Sequence, residues 1–280
     1  LKSKSADKDE ILKMLFGEAK YEKFNFLPVS NFVLPVNKQN AVKSGIIKPQ
    51  DLPQAVDQIM IKYSSNSMFK NNLMMLDILA NFNWDRPIIF SSGGIYDAEN
   101  IFYLGDYLQF DGFSYRLVPI KTEEREDGEM GRVDANSLYN IVKNYKWGNF
   151  KDLNVHFDET CTQNIVSYRS SASRAAEALA LSGQKAKAIE ILDLASREIP
   201  VQKYNDPRSL SSIVYGYIVS GQEAKGLKLA DELKKGIFEE YDYYASLSPY
   251  EQRFVSRQMR KKPVEYSLVT AAVSDAYKKV

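Results

Sequence analysis

The residue types best suited to chemistry are concentrated in the segment NWDRPIIFSSGG, residues 83–94. Trp84, Asp85 and Arg86 precede a short apolar run, and a glycine pair follows it. In one interpretation the glycines form a loop at the C-terminal end of a parallel strand, where open α/β sheets bind ligands. In the other, Trp84 covers the core, the two charged residues pair locally, and the glycines turn the chain. The glycine pair fits neither a dinucleotide-binding nor a P-loop fingerprint, which favours the second interpretation.

Tyrosines supply a second candidate surface. Their spacing after the glycine pair is compatible with a sugar- or peptide-binding face, although aromatic residues at such spacing more often pack in the core. The candidate binding residues are therefore Trp84, Asp85, Arg86, Gly93, Gly94, Tyr96 and Arg116.

Composition limits the chemistry further. The chain of 280 residues contains one histidine and one cysteine, so a zinc site of the usual ligand types is not expected. No motif marks a nucleophile, and no helix start or basic cluster is expected near Cys161 to lower its pKa. We predict no catalytic residue, no metal site and no cofactor. A net charge of +1 gives no bulk electrostatic reason to bind nucleic acid, although local charged patches remain open.

The first part of the chain predicts a mixed α/β domain over residues 1–160. Strand patterns at residues 58–64 and 86–92 flank a helical pattern, which indicates a βαβ unit and a small, mainly parallel sheet. Residues 97–110 favour a helix, and residues 113–120 favour another strand. The proline-containing segment at residues 25–40 is typical of an extended arm on the surface.

The second part predicts a tetratricopeptide-like α-helical domain over residues 161–280. Apolar residues recur at helical spacing, and a Ser-Gly-Gln turn at residues 182–184 returns at residues 220–222. Asp206-Pro207 predicts one helix start. Ser248 and Glu251 predict a capping box at another, with a separate terminal helix from residue 264.

Three segments together resemble a known family. They are MLDILANFNWDRPIIFSS, YLGDYLQFDGFSYRLVPI and YKWGNF…FDET, which the helical repeat follows, and the resemblance covers roughly residues 70–205. They resemble the soluble C-terminal region of a family of bacterial multi-pass membrane proteins. The membrane part of that family is similar to protein O-mannosyltransferases.

The resemblance implies a non-catalytic periplasmic domain of a membrane-embedded glycosyltransferase-like protein. Its transmembrane part would lie upstream of Leu1, and catalysis by the whole protein would use a polyprenyl-phosphate sugar. The implied partners are that upstream transmembrane region and a protein or glycan acceptor, with no nucleic acid. The alternative is a soluble tetratricopeptide-like adaptor that binds peptide segments in a helical groove.

Overall fold

The computed structural model describes residues 30–63, 68–91, 94–122 and 130–280. The chain divides into two compact units, Leu1–Arg132 and Val133–Val280. Among the described residues, the first unit holds short helices and small sheets, and the regular elements of the second are all helices. This agrees with the predicted order of a mixed part followed by a helical part.

The strands all lie in the first unit. In chain order they are β1 (Asn31–Pro35), β2 (Gln58–Lys62), β3 (Ile89–Ser91), β4 (Leu108–Phe110) and β5 (Ser114–Leu117). The helices of this unit are α1 (Lys38–Lys43) and α2 (Lys70–Ala80), with a π-helical turn at Asp97–Ile101 and 3₁₀ turns at Pro49–Gln54 and Gly105–Tyr107.

The first sheet pairs β1 with β2 in antiparallel orientation. Phe32 lies opposite Ile61, and Leu34 lies opposite Ile59. All four side chains are buried, so both strands alternate between core and outer face as half-buried strands do. The predicted strand over residues 58–64 is confirmed, whereas the predicted surface arm contains strand β1 instead.

The second sheet has the order β3-β5-β4, and both of its pairings are antiparallel. The predicted mainly parallel sheet is therefore wrong. β2 and β3 do flank helix α2, but each pairs within a different sheet, so no parallel crossover forms. A tight turn containing Gly112, with φ of 89°, joins β4 to β5 and brings them together as a hairpin.

The predicted helix over residues 97–110 is also only partly present. The π-helical turn ends at Ile101, and Leu108–Phe110 forms β4. Leu104 and Leu108 are fully buried and contribute to the core of this unit. The segment is therefore held by burial of its apolar residues and not by a continuous helical ladder.

The second unit is built from six helices in the described residues. They are α3 (Ala135–Lys143), α4 (Glu159–Leu181), α5 (Lys185–Glu198), α6 (Pro207–Val219), α7 (Glu223–Ser246) and α8 (Pro249–Lys279). Contacts join α4 to α5 and α6, and α6 to α7 and α8. Within the described part of the chain, no helix is both long and apolar enough to cross a lipid bilayer.

The predicted helix pairs are present. Gly183 and Gly221 adopt φ of 78° and 85° in the turns after α4 and α6, a conformation that glycine adopts without strain. Asp206 accepts a hydrogen bond from the Ser209 N–H at 2.8 Å and caps α6, as predicted. The assignment of these pairs to the tetratricopeptide class stays a prediction.

The capping box at Ser248 and Glu251 is confirmed, because it begins α8. The separate terminal helix is not observed: α8 runs without a break through Pro263 to Lys279. Beside this proline, Lys262 forms ion pairs with Glu265 of the same helix and with Glu240 of α7, and the Glu240 pair joins α8 to α7.

Helix α3 belongs to the helical unit, although we predicted a domain boundary near residue 160. The Tyr139 hydroxyl donates to Glu190 Oε2 at 2.7 Å, and Lys143 Nζ lies 2.9 Å from Glu190 Oε1. These bonds join α3 to α5. The Lys143 ammonium and the Tyr139 hydroxyl hold the pKa of Glu190 below its ordinary value.

The YKWGNF and FDET motifs build an aromatic cluster between α3 and α4. Trp147 and Tyr168 have ring centroids 5.1 Å apart, and Phe150 lies 4.8 Å from Phe157. Lys203 Nζ donates to the Asp152 carbonyl at 2.8 Å. The motif residues that carry part of the family resemblance therefore secure a long connection to the helices.

Two glycines of α7 give a matched stability prediction. A Cβ on Gly226 would lie 2.7 Å from Ile218 Cγ1 and 3.1 Å from the Val214 carbonyl, whereas nothing lies within 4 Å of one on Gly236. We expect Gly226→Ala to lower the free energy of unfolding by about 1–3 kcal/mol, because α6 and α7 must separate. Gly236→Ala should raise it by up to about 1 kcal/mol through helix propensity. Urea unfolding followed by circular dichroism measures both, and equal effects would contradict the close approach at Gly226.

Candidate functional site

Trp84 lies in the core of the first unit. Its side chain is fully buried, and its Nε1 donates a hydrogen bond to the Pro35 carbonyl at 2.8 Å. Its own carbonyl accepts from Ser44 Oγ at 2.9 Å, and its ring lies 4.6 Å from that of Phe82. The backbone φ of 60° is uncommon for a residue with a large side chain, and these contacts on all sides maintain it. Trp84 therefore links β1 and α1 to the strand that follows it.

The two charged residues that follow Trp84 lie on the surface and not in the core. Asp85 and Arg86 are both exposed, and the structure shows no ion pair between them in the residues it describes. Gly94 forms a turn in which its N–H donates to the Ser91 carbonyl at 2.9 Å. Gly93 lies outside the described residues. The residues of the NWDRPIIFSSGG segment that the structure describes are therefore not gathered into one pocket.

Arg116 stabilises the second sheet through an ion pair and hydrogen bonds. Its Nε lies 2.9 Å from Asp111 Oδ2, and its Nη1 donates to the Gly45 carbonyl at 2.9 Å. Only about a fifth of the arginine side chain is exposed, so most of its hydrogen-bonding capacity is used inside the protein. Ser44 donates to the Trp84 carbonyl and the Gly45 carbonyl accepts from Arg116, so the two candidate residues hold the turn after α1.

An open cleft lies at the other end of α1, where the helix begins. It has a volume of about 480 Å³ and is lined by residues of the β1–α1 connection together with Phe82 and Asn83. The Asn83 carbonyl accepts from Asn40 Nδ2 at 3.0 Å, and Lys38 pairs with Asp57 at 2.7 Å. Asn83 and Lys38 at the cleft are therefore already bonded to other residues of the protein.

Among the candidate binding residues, Tyr96 lies on an exposed surface that has the features of a binding site. Beside it, Asp97 Oδ2 accepts from Asn71 Nδ2 at 2.9 Å and from Asn72 Nδ2 at 3.2 Å. Tyr96 directly precedes Asp97, Phe69 lies two residues before Asn71, and the two side chains are 65% and 70% exposed. We call these five residues, Phe69, Asn71, Asn72, Tyr96 and Asp97, the Asp97 cluster.

The Asp97 cluster is held by two elements. Asn72 is buried in the first turn of α2, and its Oδ1 accepts from the Phe69 N–H at 3.4 Å. Asp97 opens the π-helical turn, a rare element that occurs frequently at functional sites. The result is a carboxylate held by two amides, with exposed aromatic residues near it along the chain at Phe69 and Tyr96.

Sequence reasoning identified Tyr96 but missed Asn71, Asn72 and Asp97. The hydrogen bonds that unite them join residues 25 and 26 positions apart. Nothing in the local pattern of either segment indicates the other. The available signal was compositional: two adjacent asparagines at a helix start and an acidic residue next to a tyrosine.

Substitution of Asp97 gives a stability prediction, and substitution of Asn71 is its control. Asp97→Ala leaves the buried Asn72 amide without its acceptor, so we expect a loss of about 1–3 kcal/mol in the free energy of unfolding of the first unit. Asn71→Ala removes an exposed partner and should change it by less than about 0.5 kcal/mol. The chain has two tryptophans, so Trp84 fluorescence in a Trp147→Phe background follows the first unit alone. Equal losses for both variants would show that Asn72 does not depend on Asp97.

Cys161 lies at a helix start, contrary to our expectation. It is in the first turn of α4, where Asp158 is the N-cap and accepts from the Cys161 N–H at 2.7 Å. A hydrogen bond from the thiol to the Asp158 carboxylate raises the pKa of Cys161, and weak burial and the aspartate charge act in the same direction. The thiol is therefore exposed but not activated as a nucleophile.

The raised pKa predicts slow alkylation. A higher pKa means a smaller thiolate fraction at any pH below it, so iodoacetamide should modify Cys161 more slowly than a cysteine in an unstructured peptide. Asp158→Asn keeps a side-chain cap but removes the charge, and it should speed the reaction severalfold. Glu159→Gln, which removes a neighbouring charge without that hydrogen bond, is the control. Equal rates for the three proteins would contradict the bond.

The described residues contain no evident metal-binding site. No group of three or more histidine, cysteine, aspartate or glutamate side chains is arranged there to hold an ion. The Asp97 cluster contributes a single carboxylate. It is suited to hydrogen bonding and aromatic stacking and not to metal coordination.

Comparison with known proteins links the first unit to one domain family. No curated protein and no solved structure shows significant similarity to the chain. Residues 1–137 match the family model described as TMEM260-associated domain 2. The match includes the NWDRPIIFSS and FSYRLVPI segments on which the sequence resemblance depended, and it extends to the first residues of the chain. Residues 1–137 are thus similar to a domain family related to TMEM260, which is protein O-mannosyltransferase-like.

Proposed function

We propose that this chain is a non-catalytic accessory part of a membrane-embedded, protein O-mannosyltransferase-like protein, in which it positions the acceptor. The observation that carries the proposal is the match of residues 1–137 to TMEM260-associated domain 2. The resemblance of the three sequence segments supports the same relationship.

The Asp97 cluster is the surface that the proposal assigns to the acceptor. Exposed Phe69 and Tyr96 rings offer apolar faces, and Asn71 and Asp97 offer a hydrogen-bond donor and acceptors beside them. Such a combination of one apolar and one polar contact suits hydroxylated ligands and extended polypeptides. An acceptor protein or its glycan would therefore bind here by stacking and hydrogen bonding.

The proposal places the chemistry outside residues 1–280. In polyprenyl-phosphate-sugar transferases the reaction occurs in the membrane part, and no residue of this chain is assigned a catalytic role. The transmembrane part is the proposed partner, and the periplasmic face of the inner membrane is the proposed location. Purified residues 1–280 should neither transfer nor hydrolyse sugar from a polyprenyl-phosphate donor.

Complementation tests the acceptor role. A strain that lacks the gene is complemented with the full coding sequence or with a Tyr96→Ala/Asn71→Ala variant, and membrane and periplasmic glycopeptides are mapped by mass spectrometry. We expect the wild type to restore glycopeptides and the double variant to restore at least about tenfold less, the loss of one stacked and hydrogen-bonded contact. Asn81→Ala, an exposed asparagine at the other end of α2 that bonds within its own helix, is the control. Full restoration by the double variant would reject the Asp97 cluster as the acceptor surface.

The alternative function is a soluble protein-interaction adaptor. The specific observation in its favour is the helical unit, in which a glycine turn joins the two helices of each successive pair, α4–α5 and α6–α7. Such pairs form binding surfaces for peptide segments when they stack. A product found free of membranes would favour this alternative.

A further inference from the structure

The outward face of α8 carries a row of apolar and basic residues. Six side chains follow one another at spacings of four, three, four, three and four residues, so they lie on one side of the helix. We call them the outer stripe: Tyr250, Phe254, Arg257, Lys261, Val264 and Leu268.

The opposite face of α8 fixes this orientation. Val269 and Ala276 are fully buried, and α8 contacts α6 and α7. The Tyr266 ring lies 5.2 Å from that of Phe238 on α7, and Lys262 pairs with Glu240 on the same helix. Because these contacts occupy the inner face, the outer stripe faces away from the helical unit.

The outer stripe exposes more apolar surface than a solvent-facing helix needs. Tyr250 and Phe254 are 68% and 70% exposed and lie with ring centroids 5.3 Å apart, and Val264 is 60% exposed. Single exposed apolar residues are ordinary, but a continuous row of them marks an interaction surface. The last helix of a helical array usually has a polar outer face, and α8 departs from this pattern.

The charges around the outer stripe are mostly basic, with five Arg and Lys residues against Glu251 and Glu265 between residues 250 and 268. Arg253, Arg257, Arg260 and Lys261 are all exposed. In the part of the chain that the structure describes, no carboxylate pairs with Arg257 or Lys261. The nearby acids are engaged elsewhere, since Glu251 accepts from Ser248 in the capping box and Glu265 pairs with Lys262. The occupant of this surface must therefore be anionic as well as apolar.

We propose that the outer stripe of α8 binds the surface of an anionic lipid bilayer. A basic amphipathic helix with exposed aromatic residues is the arrangement that lies in a membrane interface, with rings at headgroup depth and Arg and Lys at the phosphates. A ridge on one helix meets a deformable bilayer without a matching groove. A protein partner would need a complementary acidic and apolar groove to cover the same row.

This inference stands apart from the proposed function. It concerns residues 250–268, outside the region that matches the domain family, and it needs no transmembrane part. The net charge of +1 for the whole chain does not reveal this basic patch, because the patch is confined to one half of α8. Membrane binding by the isolated chain would leave the acceptor role of the Asp97 cluster undecided, and failure to bind would leave it equally undecided.

Sedimentation with lipid vesicles tests the inference on residues 1–280. One set of vesicles is phosphatidylcholine alone, and the other contains one-third phosphatidylglycerol. We expect the protein to pellet with the anionic vesicles only, and rising salt should release it. Arg257→Glu/Lys261→Glu should weaken partitioning by about tenfold or more, and Phe254→Ala should weaken it severalfold.

Matched control variants distinguish vesicle binding by the outer stripe from a general effect of surface charge or of exposed aromatic rings. Lys228→Glu/Lys235→Glu on α7 makes the same charge change at side chains that are 79% and 78% exposed, and Phe69→Ala removes a ring as exposed as Phe254. Both should bind like the wild type, and all variants should keep the wild-type circular dichroism spectrum. Failure to pellet with anionic vesicles would overturn the inference. Equal loss in the controls, or concentration-dependent self-association that Phe254→Ala abolishes without vesicles, would do so too.

Discussion

Arg169→Ala is expected to lower the free energy of unfolding of the helical unit by about 3–5 kcal/mol. Arg169 on α4 is 1% exposed, and its guanidinium binds three groups around the α5–α6 connection. Nη1 donates to Ser209 Oγ at 2.7 Å, and Nη2 donates to the carbonyls of Tyr204 and Ile199 at 2.8 and 3.2 Å. Removal leaves two carbonyls unpaired in a cavity that water does not fill freely.

The positive charge of Arg169 also makes the stability of the helical unit depend on these hydrogen-bond acceptors. Burial lowers its pKa to about 10, and the Asp206 carboxylate acts in the opposite direction. The side chain is still protonated at neutral pH, so a buried cation is stabilised chiefly by neutral acceptors. Lysine retains the charge but not the planar fork of donors, and Arg169→Lys should recover only part of the stability.

Urea unfolding followed by circular dichroism at 222 nm measures the Arg169 effect, because the helices dominate that signal. Arg197→Ala on α5 is the control, since its side chain is 67% exposed and pairs with the adjacent Glu198. The control should change stability by less than about 0.5 kcal/mol. A loss below about 1 kcal/mol for Arg169→Ala would mean that the three acceptors find other partners.

The second large effect is expected at Trp84. Trp84→Ala should destabilise the first unit by about 3–5 kcal/mol, because it removes a fully buried ring and its hydrogen bond to Pro35. Trp84→Phe fills most of the space but leaves the Pro35 carbonyl without its donor, and should cost about 1–3 kcal/mol. This order follows from a packing role in which the indole joins β1 to the rest of the unit.

Hydrogen exchange resolved by peptide measures the Trp84 effect without its fluorescence. Protection should fall in peptides from residues 30–63 and 94–122 and stay unchanged in those from α4 to α8. Tyr96→Ala, at a 65% exposed ring in the same unit, should leave protection within experimental error. If Trp84→Ala altered ligand binding but not protection, the binding interpretation of Trp84 would replace the packing one.

The helical unit was largely predictable because its signals are local. Apolar spacing marked the helices, and the glycines at residues 183 and 221 stand at turns that require positive φ. Asp206 and Ser248 are caps whose bonds reach only three residues along the chain. The separate terminal helix predicted from residue 264 is wrong, because Pro263 lies within α8 and does not end it.

The sheets were not predictable in the same way. Helix α2 does connect two strands, but the choice of partner strand depends on contacts far along the chain. β1 takes β2, and β5 takes β3, each in antiparallel register. The Asp97 cluster escaped prediction for the same reason, since it joins α2 to a π-helical turn by side-chain bonds across more than twenty residues.

The two units carry different parts of the proposed role. The first unit presents the Asp97 cluster, and its family match indicates a relation to TMEM260-like proteins. The second unit presents the outer stripe of α8. If both proposals hold, the acceptor surface belongs to a chain that touches a membrane in addition to any covalent tether.

Fractionation of cells that express the intact gene product tests the central proposal most directly. The full coding sequence carries an epitope within this region, and inner membranes are separated from soluble fractions and washed with high salt and carbonate. Protease is then added to spheroplasts and to inverted membranes. The account predicts a salt- and carbonate-resistant membrane protein whose epitope is cleaved in spheroplasts and protected in inverted vesicles. A product that is soluble, or that is cleaved only from the cytoplasmic side, would contradict it.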